Sequence, residues 1–211
     1  MSTLTETFRL FDATLVSDAL DEHGIDGVIT GLDPAHPEHV AVGRAHPLRL
    51  EEAAEPESGT NFPYAMLEEI GPDRLLVLDG AGPEISCWGA NASRLAAAAD
   101  AAGIVVDGGY RDVPEVRASA FPLFGRGRTP RSGQGRLSVE AVGEPVEIGG
   151  VEVAPDDLIV ADATGVSVVP AEEAAAVAET AEAILTEELL VEAKIDAGAT
   201  VSDLKSRDHE F

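Results

Sequence analysis

Residues 74–119, RLLVLDGAGPEISCWGANASRLAAAADAAGIVVDGGYRDVPEVRAS, contain the pattern that decides the fold. Two apolar runs, residues 74–79 and 104–107, each end at glycine and are typical of buried parallel strands. A helix rich in alanine is predicted between them over residues 91–102, and a shorter helix follows over residues 112–119. Strand, helix, strand and helix at this spacing predict a parallel βαβ unit and therefore an α/β fold.

Downstream of this unit the pattern changes to short strands and then to one long helix. The segments rich in β-forming residues are 121–124, 137–147, 151–153, 158–161 and 166–169. A long C-terminal helix is predicted over residues 171–197. Because no repeat and no linker divides the chain, we expect residues 1–211 to form one domain, with flexible ends at about 1–10 and 205–211.

Acidic residues dominate the charge of the chain. There are 39 Asp and Glu residues against 14 Lys and Arg residues, which gives a formal net charge of −25. A surface of this sign repels phosphate, so nucleic acid is not an expected partner. The hydrophobic fraction of 45% is still enough to form a core. Lysine occurs only at Lys194 and Lys205, and this depletion beside the acid excess indicates adaptation to high salt, with an ordinary acidic protein as the alternative.

The sequence also predicts a cellular address. Cys87 is the single cysteine, so no intramolecular disulfide can form. Residues 1–10 lack the pattern of a signal peptide, and the apolar runs are too short to cross a bilayer. We therefore expect a cytoplasmic chain without a membrane partner, and we interpret Cys87 as a packing residue rather than a nucleophile.

Two predicted helix starts lie where a ligand would bind. In open α/β sheets, ligands bind beyond the carboxyl ends of the strands. Residues 89–92, GANA, open the first helix, and Arg111 and Asp112 open the second. Free N–H groups at a helix N-terminus bind anions. The alternative is that both segments are ordinary helix caps.

Asp107, Asp112 and Glu115 form a group of carboxylates around Arg111 in the sequence. The spacing of Asp112 and Glu115, with a proline between them, is that of a capping box. In the alternative interpretation, Asp112 binds a hard divalent cation and Arg111 holds an anionic substrate. The two interpretations are compatible, and the spacing alone leaves both open.

Residues 118–139 contain no acidic residue, and we call this segment the arginine window. Its arginines are Arg126, Arg128, Arg131 and Arg136. Four explanations compete: an anion-binding loop, a contact with an acidic neighbouring subunit, a structural turn network, and an RNA-binding segment. The last is the least favoured, because no aromatic residues alternate with the arginines.

The segment WGANASRLAAAADAAGIVVDGGYRDVPEVR, residues 88–117, resembles the regulator of ribonuclease activity A family. ATLVSDAL upstream and FGRGRTPRSGQGR downstream support the resemblance, which covers roughly residues 10–170. Its most specific element is a glycine loop followed, about 20 residues later, by Arg-Asp-x-x-acid, here Arg111, Asp112 and Glu115. The family includes 4-hydroxy-4-methyl-2-oxoglutarate aldolases and oxaloacetate decarboxylases. The resemblance implies an α/β/β/α swivelling-type fold that assembles as homotrimers, sometimes doubled to hexamers.

The resemblance also implies roles for single residues. The glycine-loop amides would bind the pyruvoyl part of a 2-oxo acid, and by match these belong to Gly89, Ala90, Asn91 and Ala92. Arg111 would hold the substrate and Asp112 would bind Mg²⁺ or Mn²⁺, so this pair would be catalytic in a metal-dependent aldolase or decarboxylase. Asp107 and Glu115 are expected to orient the groups around Asp112.

One position departs from the family pattern. The residue after the loop glycine is usually acidic, whereas here it is Ala90. A non-catalytic regulatory or binding protein on the same scaffold is therefore the alternative to an enzyme. A methyltransferase, the activity for which family members are often named, is not favoured, because the glycine-rich cofactor loop is not evident.

Overall fold

A computed structural model describes residues 3–55, 67 and 70–204. The helices are α1 (Leu4–Phe8), α2 (Ala13–Glu22), α3 (Ala90–Ala98), α4 (Val113–Ala118), α5 (Ala174–Asp196) and α6 (Val201–Leu204). The strands are β1 (Val28–Ile29), β2 (Asp33–Pro34), β3 (Ala41–Glu52), β4 (Arg74–Trp88), β5 (Gly103–Tyr110), β6 (Leu123–Arg128), β7 (Leu137–Val142), β8 (Val146–Ile148), β9 (Val151–Val153), β10 (Leu158–Ala161) and β11 (Val166–Val169). Across these residues, one sheet has the order β1-β11-β10-β3-β4-β5-β6-β2, with β7 paired to β3, and β8 pairs with β9 in a separate hairpin.

The centre of the sheet confirms the predicted parallel unit. Strands β3, β4, β5 and β6 run parallel, α3 connects β4 to β5, and α4 connects β5 to β6. The α/β fold class with a long C-terminal helix is therefore confirmed. Both central strands are longer than predicted, since β4 continues to Trp88 and β5 to Tyr110. Register shifts beyond Asp79 absorb the extra residues of β4 and bring both strand ends to the start of their helices.

The two faces of the central strands pack against different layers. Successive side chains of a strand point to opposite faces. Leu76 and Leu78 of β4 pack with the α3 residue Ala96 in one cluster. Leu75 and Val77 pack on the other face, with the β8–β9 hairpin. A third cluster joins α1, α2 and α5 to β10 and β11.

One predicted strand is divided in the structure. The predicted strand 137–147 is divided into β7 and β8, because Gly143 turns the chain at a φ of 71°. The N-terminal stretch expected to be flexible includes α1, whose Phe8 is fully buried in the third cluster. Residues 205–211, also predicted to be flexible, lie outside the described residues. Within the described ranges, no helix is both long and apolar enough to cross a membrane.

Candidate functional site

A cavity of about 230 Å³ lies where β4 leads into α3 and β5 leads into α4. The structure brings five of the predicted site residues to its wall: Gly89, Asn91, Ala92, Arg111 and Asp112. They are contributed by two turns, residues 89–92 and 111–112, which are separated by 18 residues of chain. The carboxyl ends of adjacent parallel strands meet at one edge of a sheet, which is why the two turns converge.

The carboxylate of Asp112 reaches across to the neighbouring helix. Its Oδ2 accepts a hydrogen bond from the N–H of Ala90, the first residue of α3, at 3.1 Å. In its own helix Asp112 makes no side-chain capping bond, and its φ of 57° places it in the left-handed region. The capping-box interpretation of Asp112 and Glu115 is therefore wrong, because the side chain points towards α3. A non-glycine residue in this region carries strain, and such strain concentrates at functional sites.

Gly89 is required by the close approach of the second turn. A Cβ atom at this position would lie 2.7 Å from Oδ2 of Asp112 and 3.2 Å from Cγ of Arg111. Since glycine has no side chain to cap α3, the N–H groups of Asn91 and Ala92 have no hydrogen-bond partner among the described residues. Uncapped amides at the positive end of a helix dipole attract an anion.

Arg111 stands beside Asp112 with its guanidinium open to solvent. Its Nε lies 3.7 Å from Oδ2 of Asp112, and the two side chains are 44% and 40% exposed. An exposed ion pair at this distance is weak. The backbone N–H of Arg111 donates to the carbonyl of Trp88 at 3.0 Å, which fixes this turn against the end of β4. The guanidinium therefore keeps its donors for an anionic ligand in the cavity.

The donor set at Asp112 fits a divalent cation that keeps most of its water. Asp112 Oδ1 has no hydrogen-bond partner among the described residues, while Oδ2 is held by Ala90. No group of three or more His, Cys, Asp or Glu side chains in the described part of the chain could hold a metal ion. Mg²⁺ is commonly bound through one or two carboxylates and completes its shell with water and substrate oxygens. Asp112 can serve as such a single ligand.

Asp107 and Glu115 do not join this site. The guanidinium of Arg126 donates two hydrogen bonds to the Asp107 carboxylate, from Nε and, at 3.1 Å, from Nη2. The N–H of Gly149 adds a third at 3.2 Å. Glu115 is exposed on the first turn of α4. Neither residue lines the cavity, so their contacts give no support to the predicted orienting role.

The arginine window contributes a wall of the cavity that sequence reasoning missed. Leu137, Ser138 and Val139 line the cavity, and antiparallel pairing of β7 with β3 places Val139 opposite Leu50, which also lines it. This pairing joins segments about 90 residues apart, and no local signal in the sequence announces it. The sequence signal for this wall is the predicted strand over residues 137–147, which does not show the strand with which it pairs.

Three of the four arginines of the window are bound within the chain. Arg126 pairs with Asp107, Arg128 donates to the hydroxyl of Tyr110 at 3.0 Å, and Arg136 donates to the carbonyl of Ser132 at 2.9 Å. These contacts support the structural turn network among the four explanations. Arg131 is exposed.

Cys87 is a packing residue, as predicted. Its thiol donates to the carbonyl of Gly109 at 3.3 Å, and burial raises the pKa of Cys87 to about 12. A Cβ atom at either Gly80 or Gly108 would lie within 3.1 Å of its sulfur, so the thiol fills the space between β4 and β5. A thiol that stays protonated at neutral pH is not a nucleophile.

All residues that line this cavity lie in the part of the chain that matches a known protein family. The family model RraA-like, described as Aldolase/RraA, matches residues 13–168. The chain therefore belongs to the Aldolase/RraA family.

Individual relatives agree with this assignment. A Halalkalibacterium halodurans protein with the provisional name 4-hydroxy-4-methyl-2-oxoglutarate aldolase is 34% identical over 172 residues, which are 77% of this chain and 74% of that protein. The 4-hydroxy-4-methyl-2-oxoglutarate aldolase of Thermus thermophilus is also 34% identical, over 110 residues, and the match covers 50% of this chain and 64% of that enzyme. The names of these relatives support a lyase family.

The fold is also that of a solved family member. Streptomyces coelicolor RraAS2, described as an unusual member of the RNase ES inhibitor RraA protein family, superposes with a TM-score of 0.83 at 30% identity. The match covers 90% of this chain and 97% of that structure. The same scaffold is thus shared by relatives named as aldolases and by one described through ribonuclease inhibition.

Proposed function

We propose that this chain is a metal-dependent carbon–carbon lyase that releases pyruvate from a small 2-oxo acid. The reaction would be the retro-aldol cleavage of a 4-hydroxy-2-oxo diacid, the decarboxylation of oxaloacetate, or both. The observation that carries the proposal is the convergence of Arg111, Asp112 and the uncapped N-terminus of α3 on one cavity. The relatives named as aldolases support the reaction class.

Each element of the site has a chemical task in this proposal. The guanidinium of Arg111 and the N–H groups of Asn91 and Ala92 bind and orient the substrate carboxylate. Cleavage leaves negative charge on the keto oxygen, and Arg111 is a fixed positive charge placed before that charge develops. Mg²⁺ or Mn²⁺ held by Asp112 would supply a Lewis acid to the same oxygen.

The proton that completes pyruvate is assigned to water. Among the described lining residues there is no histidine. The thiol of Cys87, with a pKa of about 12, is too weak an acid for this role at neutral pH.

Pyruvate formation from oxaloacetate tests the proposal. Purified protein should release pyruvate in the presence of Mg²⁺ or Mn²⁺, and chelation with EDTA should stop the reaction. Because oxaloacetate decarboxylates slowly without enzyme, the rate is compared with a metal-only blank and with the Asp112→Asn protein. A wild-type rate equal to both references, for oxaloacetate and for a 4-hydroxy-2-oxo diacid, would exclude this function.

We further propose that the chain assembles as a homotrimer or hexamer. Arg131 is exposed, and a net charge of −25 gives each subunit many acidic side chains that could face the arginine window of a neighbour. Light scattering in molar salt should give the mass of three or six chains. A monomer would refute the proposed assembly. An oligomer in which the arginine window is fully exposed to solvent would show that the window is not part of the subunit interface.

The second candidate function is non-catalytic regulation of a ribonuclease. Ala90 at the usually acidic position favours it, and so does the similarity to RraAS2. However, Ala90 takes part in the site through its backbone N–H, which any residue except proline would provide. Inhibition of a ribonuclease by a protein that releases no pyruvate would favour the regulator.

A further inference from the structure

Ser93 forms hydrogen bonds with Trp88 and Gly89, at the start of the glycine loop of residues 89–92. The indole Nε1–H of Trp88 donates to Oγ of Ser93 at 2.9 Å, and this hydroxyl donates in turn to the carbonyl of Gly89 at 3.2 Å. The backbone N–H of Ser93 donates to the same carbonyl at 3.0 Å. Ser93 is fully enclosed, with 1% of its surface exposed.

The bond from Ser93 to Gly89 would be ordinary by itself. A serine within a helix often donates to the carbonyl four residues before it. The bond received from Trp88 is what distinguishes Ser93, because it fastens the helix to a side chain outside it. Trp88 is itself fixed, since its ring stacks on Phe121 at 6.5 Å between centroids and lies in the cluster beneath α3.

The backbone of Gly89 requires contacts that hold it in one conformation. Glycine has more backbone freedom to lose than any other residue, and at the N-cap of α3 it forms no side-chain bond. Its orientation decides where the N–H groups of Asn91 and Ala92 point. If Gly89 populated several backbone conformations, the N–H groups of Asn91 and Ala92 would point in several directions. Their affinity for an anion would then be lower.

We infer that Ser93 is a positioning residue for the substrate: by locking Gly89 to Trp88, it aims the amides of Asn91 and Ala92 into the cavity. This inference rests on the proposed function, in which those amides hold the carboxylate of a 2-oxo acid. Ser93 does not line the cavity, so it acts on the ligand through Gly89.

Replacement of Ser93 tests the inference. Ser93→Ala removes both hydroxyl bonds, and we expect the Kd for pyruvate, measured by calorimetry with Mg²⁺ present, to rise about tenfold, equivalent to about 1.4 kcal/mol. KM should rise more than kcat falls, since binding rather than bond cleavage is impaired. Ser93→Thr keeps the hydroxyl and should restore most of the affinity.

Trp88 provides an optical readout of the same change. It is the single tryptophan of the chain, and it is one of the residues that line the cavity. Its emission should shift in Ser93→Ala and return in Ser93→Thr. Should the alanine protein fail to fold, Ser93→Cys, which fills the space with a weaker donor and acceptor, should still weaken pyruvate binding.

Ser167 offers a matched control. It is also 1% exposed, and its hydroxyl donates to the carbonyl of Ala13 at 2.8 Å from β11, which is separated from β4 by two strands of the sheet. Ser167→Ala should lower the melting temperature without changing the Kd for pyruvate. The inference is overturned if Ser93→Ala binds pyruvate as the wild type does, or if both alanine variants lose the same affinity.

The amide resonances separate this inference from the proposed function. If the wild-type protein neither binds pyruvate nor turns over oxaloacetate, the proposed function fails. The positioning role is then decided by NMR without ligand. The amide shifts of Asn91 and Ala92 should move in Ser93→Ala and stay in place in Ser167→Ala. Unmoved shifts in both variants would reject the role of Ser93.

Discussion

Two aspartates five residues apart, Asp107 in β5 and Asp112 just after it, have opposite surroundings. Both carboxylate oxygens of Asp107 accept hydrogen bonds, two from Arg126 and one from the N–H of Gly149. The Asp107 side chain is 19% exposed. Asp112 accepts one bond from Ala90, keeps Oδ1 without a partner among the described residues, and is 40% exposed on a left-handed backbone.

The difference separates a structural carboxylate from one available for chemistry. Asp107 holds the β8–β9 hairpin to the sheet through Gly149, and its charge is neutralised within the chain. Asp112 gives the fold one bond, from the N–H of Ala90, and leaves Oδ1 without a partner among the described residues. A residue kept in such a state is a candidate for binding a ligand. The predictions below test this division, beginning with the largest effect.

Replacing each aspartate by asparagine compares the two regions directly. Asp112→Asn can still accept the N–H of Ala90 but offers no charge to a cation, so pyruvate release should be abolished while the melting temperature hardly changes. Asp107→Asn weakens the bonds to Arg126 and should cost about 1–2 kcal/mol of unfolding free energy with turnover retained. Both are measured by pyruvate release and by chemical denaturation. An active Asp112→Asn enzyme would reject Asp112 as the metal ligand.

Arg111 should show the next largest effect. Arg111→Ala should lower turnover by about 10²–10³, the usual loss for one donor to a developing negative charge, and leave Mg²⁺ binding nearly intact. Arg111→Lys should restore only part of the rate, because an ammonium cannot reproduce the planar fork of donors. Arg94, exposed on α3, is the matched control, and its alanine variant should behave as the wild type. Equal rates for the Arg111→Ala and Arg94→Ala proteins would remove Arg111 from the mechanism.

Gly89→Ala tests the contact between the two turns. The added methyl would lie 2.7 Å from Asp112 Oδ2 and must push that side chain away, so turnover should fall by about 10-fold or more, as for other displacements of supporting groups. Gly165→Ala is the control, since its Cβ would meet nothing closer than 3.9 Å. The turnover rates and melting temperatures of the two variants are compared with those of the wild type. A Gly89→Ala enzyme of full activity would show that the approach of Asp112 is not required.

Salt should have the smallest and most general effect. The net charge of −25 strains the folded state by self-repulsion, and the Debye length shortens to about 3 Å at 1 M salt. The melting temperatures of the wild type and of Asp107→Asn should therefore both rise from dilute buffer to molar KCl. A flat or falling melting temperature would contradict adaptation to high salt.

The parallel core was predictable because its signals are local. The apolar runs of β4 and β5 and the alanine-rich α3 are each continuous in sequence, and short connections leave few ways to arrange them. The convergence of residues 89–92 with Arg111 and Asp112 follows from the same rule for strand ends.

The state of Asp112 was not predictable from its neighbours. Asp-x-x-Glu is a sound local pattern for a capping box, but the bond to Ala90 spans 22 positions and draws the side chain away. The position of Leu137 and Val139 in the cavity wall likewise depends on the pairing of β7 with β3. Contacts that join distant segments were the part that sequence patterns could not supply.

The hydrogen bond from Ala90 to Asp112 would make the binding of a cation and the binding of an anion at this site depend on each other. If a cation drew the whole carboxylate of Asp112 towards itself, this bond would weaken and a further N–H at the positive end of α3 would become available. An anion bound there would gain that donor. By linkage, the factor by which the cation changes the affinity for the anion equals the factor by which the anion changes the affinity for the cation. One 3.1 Å bond is thus a route to reciprocal cooperativity between the two ligands.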